Sequence, residues 1–531
     1  MLPLLPSKRI SRALSACIGG ILLALCFPNF SLVPLLPVAL IPLMAAVAGA
    51  APRRAAFLGG LFGFVFWLGT LPWIAYTVHE YGGVSWPLAA LALVLTALIC
   101  LVPMALMTAL VAAIAPSTPA GRIGTWAAAW AVQEGFRTTI YPFGGFPWAL
   151  LGNPLVDVPP LIGTAALGGI LFTSLLVAAV DAALLEALTD GRRERRLMWL
   201  AGTAALAVVA AFAGSLATRD GSATRGRLRV GIVQSNVSQE TRWRPGGSEA
   251  IFQDLLAQTR MLSRVSHPEL ILWPESASPY QWSWSERTRR DVTALAKELD
   301  AAILLSTVWS DEPEREDAPF YNAALLVTGD GPVLPPYFKQ RLVPFGEYVP
   351  LPALIGKIRP ISRAVPSSFS PGERAGLIPF KGAMLGGAVC YEVVFPWVAR
   401  EEVRRGAGLL FTLTNDSWYG TRGARRQHWQ AARVRAVETG RTLVRAAVTG
   451  ISGAADPAGR VIAEIGPDRK GAFALDVAVG GPPAPAVFAG DATLWVCAIG
   501  LGAAILRRRV PSPWARGSRE SLPAAKRKPH E

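Results

Sequence analysis

Seven apolar stretches precede residue 220, at roughly 11–27, 32–50, 55–77, 86–115, 122–138, 160–188 and 197–217, and an eighth lies at about 486–506. A helix of about 20 predominantly apolar residues crosses the hydrocarbon of a bilayer. Inside hydrocarbon every backbone N–H and C=O must be satisfied within the segment, which leaves helix as the natural form for such stretches. They predict a multi-span α-helical membrane domain over residues 1–218, with about seven transmembrane helices, and one more at 486–507. The fifth stretch is the least regular, because Gln133, Glu134 and Arg137 crowd its end. Composition agrees: 52% of the residues are hydrophobic and 17% charged, too apolar a balance for a soluble enzyme of this length.

The formal net charge is +15. Nucleic acid is not the partner this basicity implies, because the cations cluster beside apolar runs. Lys8, Arg9 and Arg12 form one cluster, Arg53 and Arg54 another, then Arg192 to Arg196, then Arg507 to Arg509. Such clusters mark loops kept in the cytoplasm. With eight crossings all of them fall on one side, and residues 219–485 fall on the other, the periplasm of a bacterium. The tail, 508–531, is then cytoplasmic. Leu14-Ser15-Ala16-Cys17 has the look of a lipoprotein cleavage box, but the apolar segment follows the cysteine instead of preceding it, so the first helix is expected to stay uncleaved.

From residue 226 the texture changes. Residues 228–236, 269–277, 301–309, 383–395 and 407–416 read as strands, 248–265, 286–299 and about 428–440 as helices, and 322–338 and 442–465 as hairpins. Strands interleaved with helices and antiparallel hairpins indicate an α/β domain with a mixed sheet. Four of the five cysteines, Cys17, Cys26, Cys100 and Cys497, lie in apolar runs. Cys390 is alone in the polar part, so it is either inert core or a nucleophile.

Three strand ends carry chemistry: Glu275 after Trp273-Pro274, Lys339 after a hairpin, and Cys390 after Gly386-Gly387-Ala388-Val389. Residues beyond the carboxyl ends of strands converge from distant parts of an α/β chain. Singly, each has an ordinary reading: a solvated turn glutamate, a surface lysine, a packed thiol. Glu347 reads equally as a counter-charge for nearby arginines. Together they make a chemical set. A thiol is a poor nucleophile until a base or cation assists it. Of four histidines only His428 is placed to be that base, and a carboxylate in an apolar surround serves as well. A lysine can hold the oxyanion of a tetrahedral intermediate. Glutamate, lysine and cysteine suffice for acyl transfer through a thioester, with no metal and no cofactor; no cluster has metal-ligand spacing.

The order strand-Pro-Glu, lysine, Cys-Tyr-Glu resembles the carbon–nitrogen hydrolase (nitrilase) superfamily. With membrane spans before and after the domain, the chain is similar throughout to the bacterial apolipoprotein N-acyltransferase family. The motifs are WPESA (273–277), YNAALL (321–326), KQRLVPFGEYVP (339–350), VCYEVVFP (389–396), TNDSWYG (414–420) and RAVETGR (435–441). Ser417 replaces the family's alanine. The resemblance implies an αββα sandwich on the membrane. It also implies acyl transfer from a phospholipid donor to a cysteine, and then to the α-amino group of a diacylated apolipoprotein. Carried over by position, Cys390 is the nucleophile, Glu275 the general base and Lys339 the oxyanion stabiliser. Glu347, Tyr391 and Glu392 support the site, and Trp243, Asn322, Asn415 and Trp418 line it or shape its entrance. A monomer suffices for this chemistry.

Two other readings stand beside it at this level. A membrane-anchored amidase would use the same three residues with water as acceptor. A transporter or receptor with an inert domain would need intramembrane charges, of which Asp181, Glu186 and Asp491 are the few present. Residues 279–286 and 352–370, rich in apolar and aromatic side chains, are expected to act as membrane-dipping lids or as ordinary packed insertions.

Overall fold

The computed structural model describes residues 9–218, 226–238, 241, 245–355, 368–373, 376–420 and 422–509. Trp243, most of the 352–370 insertion and the basic tail lie outside these described residues.

Helices cover all eight apolar stretches, but not all of them are single rods. Trp86–Ile114, Ala165–Thr189 and Arg193–Ala217 are long and apolar enough to cross a membrane; a fourth span results if Pro52–Thr70 and Trp73–Glu80, bent by 56°, count as one. Proline, which lacks an N–H and clashes with the preceding turn, divides the second and third stretches. Pro34, Pro37 and Pro42 divide the second stretch into a 3₁₀ turn, Val33–Val38, and a short helix, Ile41–Val47. Pro72 stands at the 56° bend. The helix Pro119–Thr139 carries Gln133, Glu134 and Arg137 inside the protein, all buried. The acidic residues that a transport pathway would need are engaged elsewhere. Asp181 accepts the Leu40 N–H at 2.9 Å, Glu186 faces Arg122 at 2.6 Å, and Asp491 pairs with Arg400.

The second region is a stack of two six-stranded sheets. The first has the order β12-β1-β2-β3-β4-β5 and the second β11-β10-β9-β8-β7-β6. The first comprises β1 (Gly226–Gln234), β2 (Leu270–Leu272), β3 (Ala302–Trp309), β4 (Tyr321–Thr328), β5 (Gly331–Phe338) and β12 (Gly471–Val479). The second comprises β6 (Ile378–Phe380), β7 (Ala383–Val389), β8 (Leu409–Thr414), β9 (Leu443–Ala447), β10 (Ser452–Ala455) and β11 (Val461–Ile465). In each sheet three neighbouring strands run parallel and the outer ones antiparallel.

Period-two alternation builds the layers, since successive strand residues face opposite sides. Ile232, Leu272, Leu304 and Leu326 point inward to meet Val389, Phe411, Leu413 and Val444 of the other sheet. Their neighbours Val233, Ile271, Ile303 and Leu325 point outward, against helices Gly247–Ser266 and Glu286–Leu299. The outer face of the second sheet carries helices Pro396–Arg404 and Arg422–Thr439. The result is an αββα sandwich of the nitrilase type.

Helix Arg422–Thr439 seats this sandwich on the helical region. One apolar cluster runs unbroken from Phe66, Trp130 and Ile170 to Tyr391, Val394 and Val437. Polar anchors sit where membrane helices break. The Glu438 carboxylate accepts the Ile170 N–H at 2.6 Å, beside Gly169, whose φ is +77°. Gln427 Nε2 donates to the carbonyls of Pro28 and Thr70, each at 3.1 Å.

Candidate active site

The nucleophile strand is shaped by its glycines. A Cβ on Gly387 would sit 2.4 Å from the Phe411 ring, so only glycine lets β7 lie this close to β8. The strand ends at Val389, and Cys390 opens a 3₁₀ turn, Cys390–Val394, with φ +54°. A left-handed conformation in a residue with a Cβ is strained and persists only where its surroundings hold it. The strand, expected to end at Cys390, stops at Val389, which leaves the thiol in the turn just past the strand end.

Glu275 follows β2, only three residues long, in the turn expected to close the 269–277 segment. Its carboxylate is anchored on both oxygens: Asn322 Nδ2 donates to one at 2.9 Å, and the backbone N–H of Asn415 to the other at 2.9 Å. Lys339 lies just past β5, 1% exposed, and its N–H bonds the Asn322 carbonyl at 2.8 Å. Its ammonium is 2.8 Å from Glu347 and 3.8 Å from Glu275. Asn322 Nδ2 also donates to Glu347 at 2.9 Å, so one amide holds both glutamates. Burial disfavours the ammonium, yet Glu347 and Glu275 hold Lys339 above the ordinary lysine range. The Cys390 thiol, 7% exposed, is pushed up by burial and by Glu275, with Lys339 opposing. Burial and Glu275 thus favour the thiol over the thiolate.

Glu392 is fully buried and ties the two halves together. It accepts from the backbone N–H groups of Gln340 (2.6 Å), Arg341 (3.0 Å) and Val389 (2.7 Å), and from the Tyr337 hydroxyl (2.9 Å). Burial raises its carboxyl against the opposing pull of the Val389 N–H, Lys339 and the other N–H donors, and the balance leaves it at about 7. Tyr391 is buried against Phe395, and its hydroxyl donates to the Gly145 carbonyl of the helical region at 3.4 Å. Trp418, 40% exposed, leans on Tyr81 with ring centroids 4.7 Å apart, and its carbonyl accepts from Thr77 at 2.7 Å. Of the residues picked from sequence, Glu275, Lys339, Glu347, Asn322 and Asn415 meet in one bonded cluster, and Cys390 lies within electrostatic reach of Glu275 and Lys339. Glu392 and Tyr391 flank it, and Trp418 lies at the seam with the helices.

A buried trio was not anticipated. Asp416 and Arg445 pair at 2.6 Å, and His428 Nδ1 is 3.0 Å from Asp416 and 3.1 Å from Arg445. His428 Nε2 lies 3.0 Å from the Cys390 carbonyl, to which it must donate, because a carbonyl only accepts. Burial opposes the Asp416 charge, but Arg445 and His428 hold it well below the usual carboxylate range. Burial and Arg445 lower His428, against the pull of Asp416. His428, the one histidine placed to be a base, thus bonds the nucleophile's backbone carbonyl. The available signal was Arg445, a charge in the middle of an apolar strand that had to find a buried partner. His428→Ala is expected to lower the rate of thioester formation about 10–100-fold by loosening the Cys390 turn, with His428→Gln, whose amide can still donate, recovering part. Single-turnover rates of the two variants check this.

The segment 279–286 is a packed insertion. Trp282 is buried in the layer outside the first sheet, its backbone N–H on Thr307 at 2.8 Å, and of the segment's apolar and aromatic side chains only Trp284 is exposed, at 50%.

The two-sheet αββα sandwich is that of an enzyme of the nitrilase superfamily: the family model described as carbon-nitrogen hydrolase matches residues 229–479. The helical region, residues 19–183, matches the apolipoprotein N-acyltransferase N-terminal domain. The apolipoprotein N-acyltransferase of Azotobacter vinelandii is 33% identical over 466 residues, 84% of this chain and 86% of that protein. That of Methylococcus capsulatus is 31% identical over 502 residues, 93% of this chain and 96% of that protein. Among solved structures, an amidase from Nesterenkonia sp. is similar at 23% identity and TM-score 0.36, covering 50% of this chain and 95% of that one. The chain belongs to the apolipoprotein N-acyltransferase family, and it is a membrane protein with several candidate transmembrane helices.

Proposed function

We propose that this enzyme moves a fatty acyl chain from a phospholipid to Cys390. It then passes the chain to the N-terminal α-amino group of a diacylglyceryl-cysteine on an apolipoprotein. Glu275 takes the Cys390 proton as sulfur attacks the ester carbonyl, and the Lys339 ammonium faces the oxyanion that forms. The ester C–O bond breaks, and the departing lysophospholipid oxygen takes the proton back from Glu275. In the second half the acceptor amine attacks the thioester, an amide forms, and the C–S bond breaks. Glu275 carries the amine proton to the departing sulfur. The sandwich, residues 219–485, faces the periplasm, between a membrane domain of residues 1–218 and a last transmembrane helix at 486–507.

The observation that carries this reading is Lys339, an ammonium only 1% exposed, held between Glu275 and Glu347 and within electrostatic reach of Cys390. Burying an ammonium costs several kcal/mol unless it is paired, and two carboxylates exceed what neutralising it needs. Family membership over both the helical region and the sandwich supports an acyl donor drawn from the bilayer.

The test is mass spectrometry of the purified enzyme mixed with phospholipid and no acceptor. A fatty-acyl adduct on Cys390 is expected, discharged to a triacylated product when a diacylated peptide is added. Release of free fatty acid with no peptide product would instead establish a hydrolase using water. An unmodified Cys390 would end the thioester reading.

A further inference from the structure

A cavity of about 310 Å³ lies beside the cluster, at the seam between the helical region and the sandwich. Phe143 and Gly145 wall it on the membrane-helix side, Tyr348, Tyr391 and Phe395 on the other, and one cation, Arg341, is set into it. The other buried or half-buried arginines at this seam face carboxylates: Arg137 with Glu134, Arg400 with Asp491, Arg433 with Asp157, Arg435 with Glu438. Among the described residues no carboxylate pairs with Arg341. Its guanidinium is instead laid over aromatic faces, 4.8 Å from the Trp397 centroid and 5.6 Å from that of Phe395.

Its position is also held. The Arg341 N–H bonds Glu392, the same carboxylate that holds Val389 next to Cys390. Opposite it Gly144, with φ +87°, brings the membrane-side loop so near that a Cβ there would sit 3.0 Å from Arg341 Nη1. The hydroxyls of Tyr348 and Tyr391 turn to that same loop, donating to the Phe143 and Gly145 carbonyls at 3.4 Å each. A guanidinium stacked on rings, with no carboxylate partner among the described residues, at the wall of a cavity whose other lining residues are uncharged, is built for a planar-edged anion such as phosphate.

We propose that Arg341 binds the phosphodiester of the lipid acyl donor and so sets which ester carbonyl reaches Cys390. This rests on the acyl-transfer reading above. Lys339 and Arg341 are two residues apart, at most about 7 Å along the chain, and the glycerol unit of a phospholipid likewise separates ester from phosphate by only a few bonds. The acceptor cannot be what Arg341 attracts through its reacting group, because that amine is cationic before it loses its proton.

The test compares two donors in the full-length enzyme, read as the rate of thioester formation on Cys390. One is a diacyl phospholipid, the other a long-chain p-nitrophenyl ester without phosphate. In Arg341→Gln the specificity constant for phospholipid, relative to that for the phosphate-free ester, is expected to fall about 10–100-fold, and Arg341→Lys to fall less. An unchanged ratio overturns the assignment, because a merely structural arginine slows both donors alike. Normal thioester formation followed by slow transfer to the diacylated peptide also overturns it and moves Arg341 to the acceptor side. If the unaltered enzyme forms no thioester with either donor, the acyl-transfer reading itself fails first.

Discussion

Cys390→Ala is expected to remove acyl transfer altogether, by about 10⁴-fold or more, while leaving the fold in place. Nothing else in the cluster can take the nucleophile's part. Glu275 and Glu347 are occupied by Asn322, Lys339 and backbone N–H groups. His428 is turned to a backbone carbonyl. The fold survives because the ion pairs and amide bonds around the thiol do not run through sulfur, and alanine meets the same left-handed strain that cysteine already bears. The resting thiol adds a second readout. Its pKa lies above the ordinary cysteine value, so the thiolate fraction at neutral pH is smaller than for an exposed cysteine. Alkylation of Cys390 by iodoacetamide should therefore be slower than that of a free thiol and speed up as pH rises. Fast alkylation at neutral pH would mean a standing thiolate, and Glu275 would no longer be needed as its base. The alanine variant is read by loss of the acyl adduct and by an unchanged melting temperature in detergent.

The largest loss of stability is expected at Glu392. Replacing it with alanine leaves three backbone N–H groups and the Tyr337 hydroxyl without their acceptor, all in a fully buried place. Each unsatisfied donor costs about 1–3 kcal/mol. The losses do not add fully once the loop relaxes, so about 3–5 kcal/mol is expected for the whole. Activity should fall as well, because Glu392 ties Gln340 and Arg341, next to Lys339, to Val389, next to Cys390. A shift of about 1 Å between catalytic groups costs on the order of 100-fold. Glu392→Gln separates positioning from proton transfer. It keeps one acceptor oxygen and the side-chain shape, so a positioning role predicts a lower rate with an unchanged pH profile. Loss of a limb near pH 7, where Glu392 itself titrates, would make it a proton donor or acceptor in the reaction. Melting temperature and the pH dependence of single-turnover rates decide between them.

Several elements were legible because their signals are local. The period-two alternation from 228, the apolar run of 301–309 and the hairpin signal of 322–338 produced β1, β3 and the β4–β5 hairpin close to where they were expected. Others were not. The run 442–465, expected as one hairpin, is three strands, β9, β10 and β11. β6 has three residues, too few for a period to show. β12 has the alternation but went unread; its role as the strand that closes the first sheet beside β1 depends on a partner more than 200 residues away in the chain. Helix Arg422–Thr439 begins six residues before the expected 428 because its first turns carry arginines, not an apolar stripe. Arg425 finds its counter-charge at Asp468, in a distant turn.

The chain's residues alone determined the solvent of each part and the kinds of chemistry on offer. Apolar length sends a helix into lipid, alternation makes a sheet with two faces, and a lone thiol among strand-end charges narrows the reaction. Those are properties of segments taken one at a time. Only the tertiary structure decided that Lys339 would lie nearer Glu347 than Glu275, that Glu392 would bridge two strand ends, and that His428 would hold a carbonyl. Each of these depends on distances between residues remote in sequence, and such distances are set by how two sheets and a bed of helices pack, which no local pattern encodes.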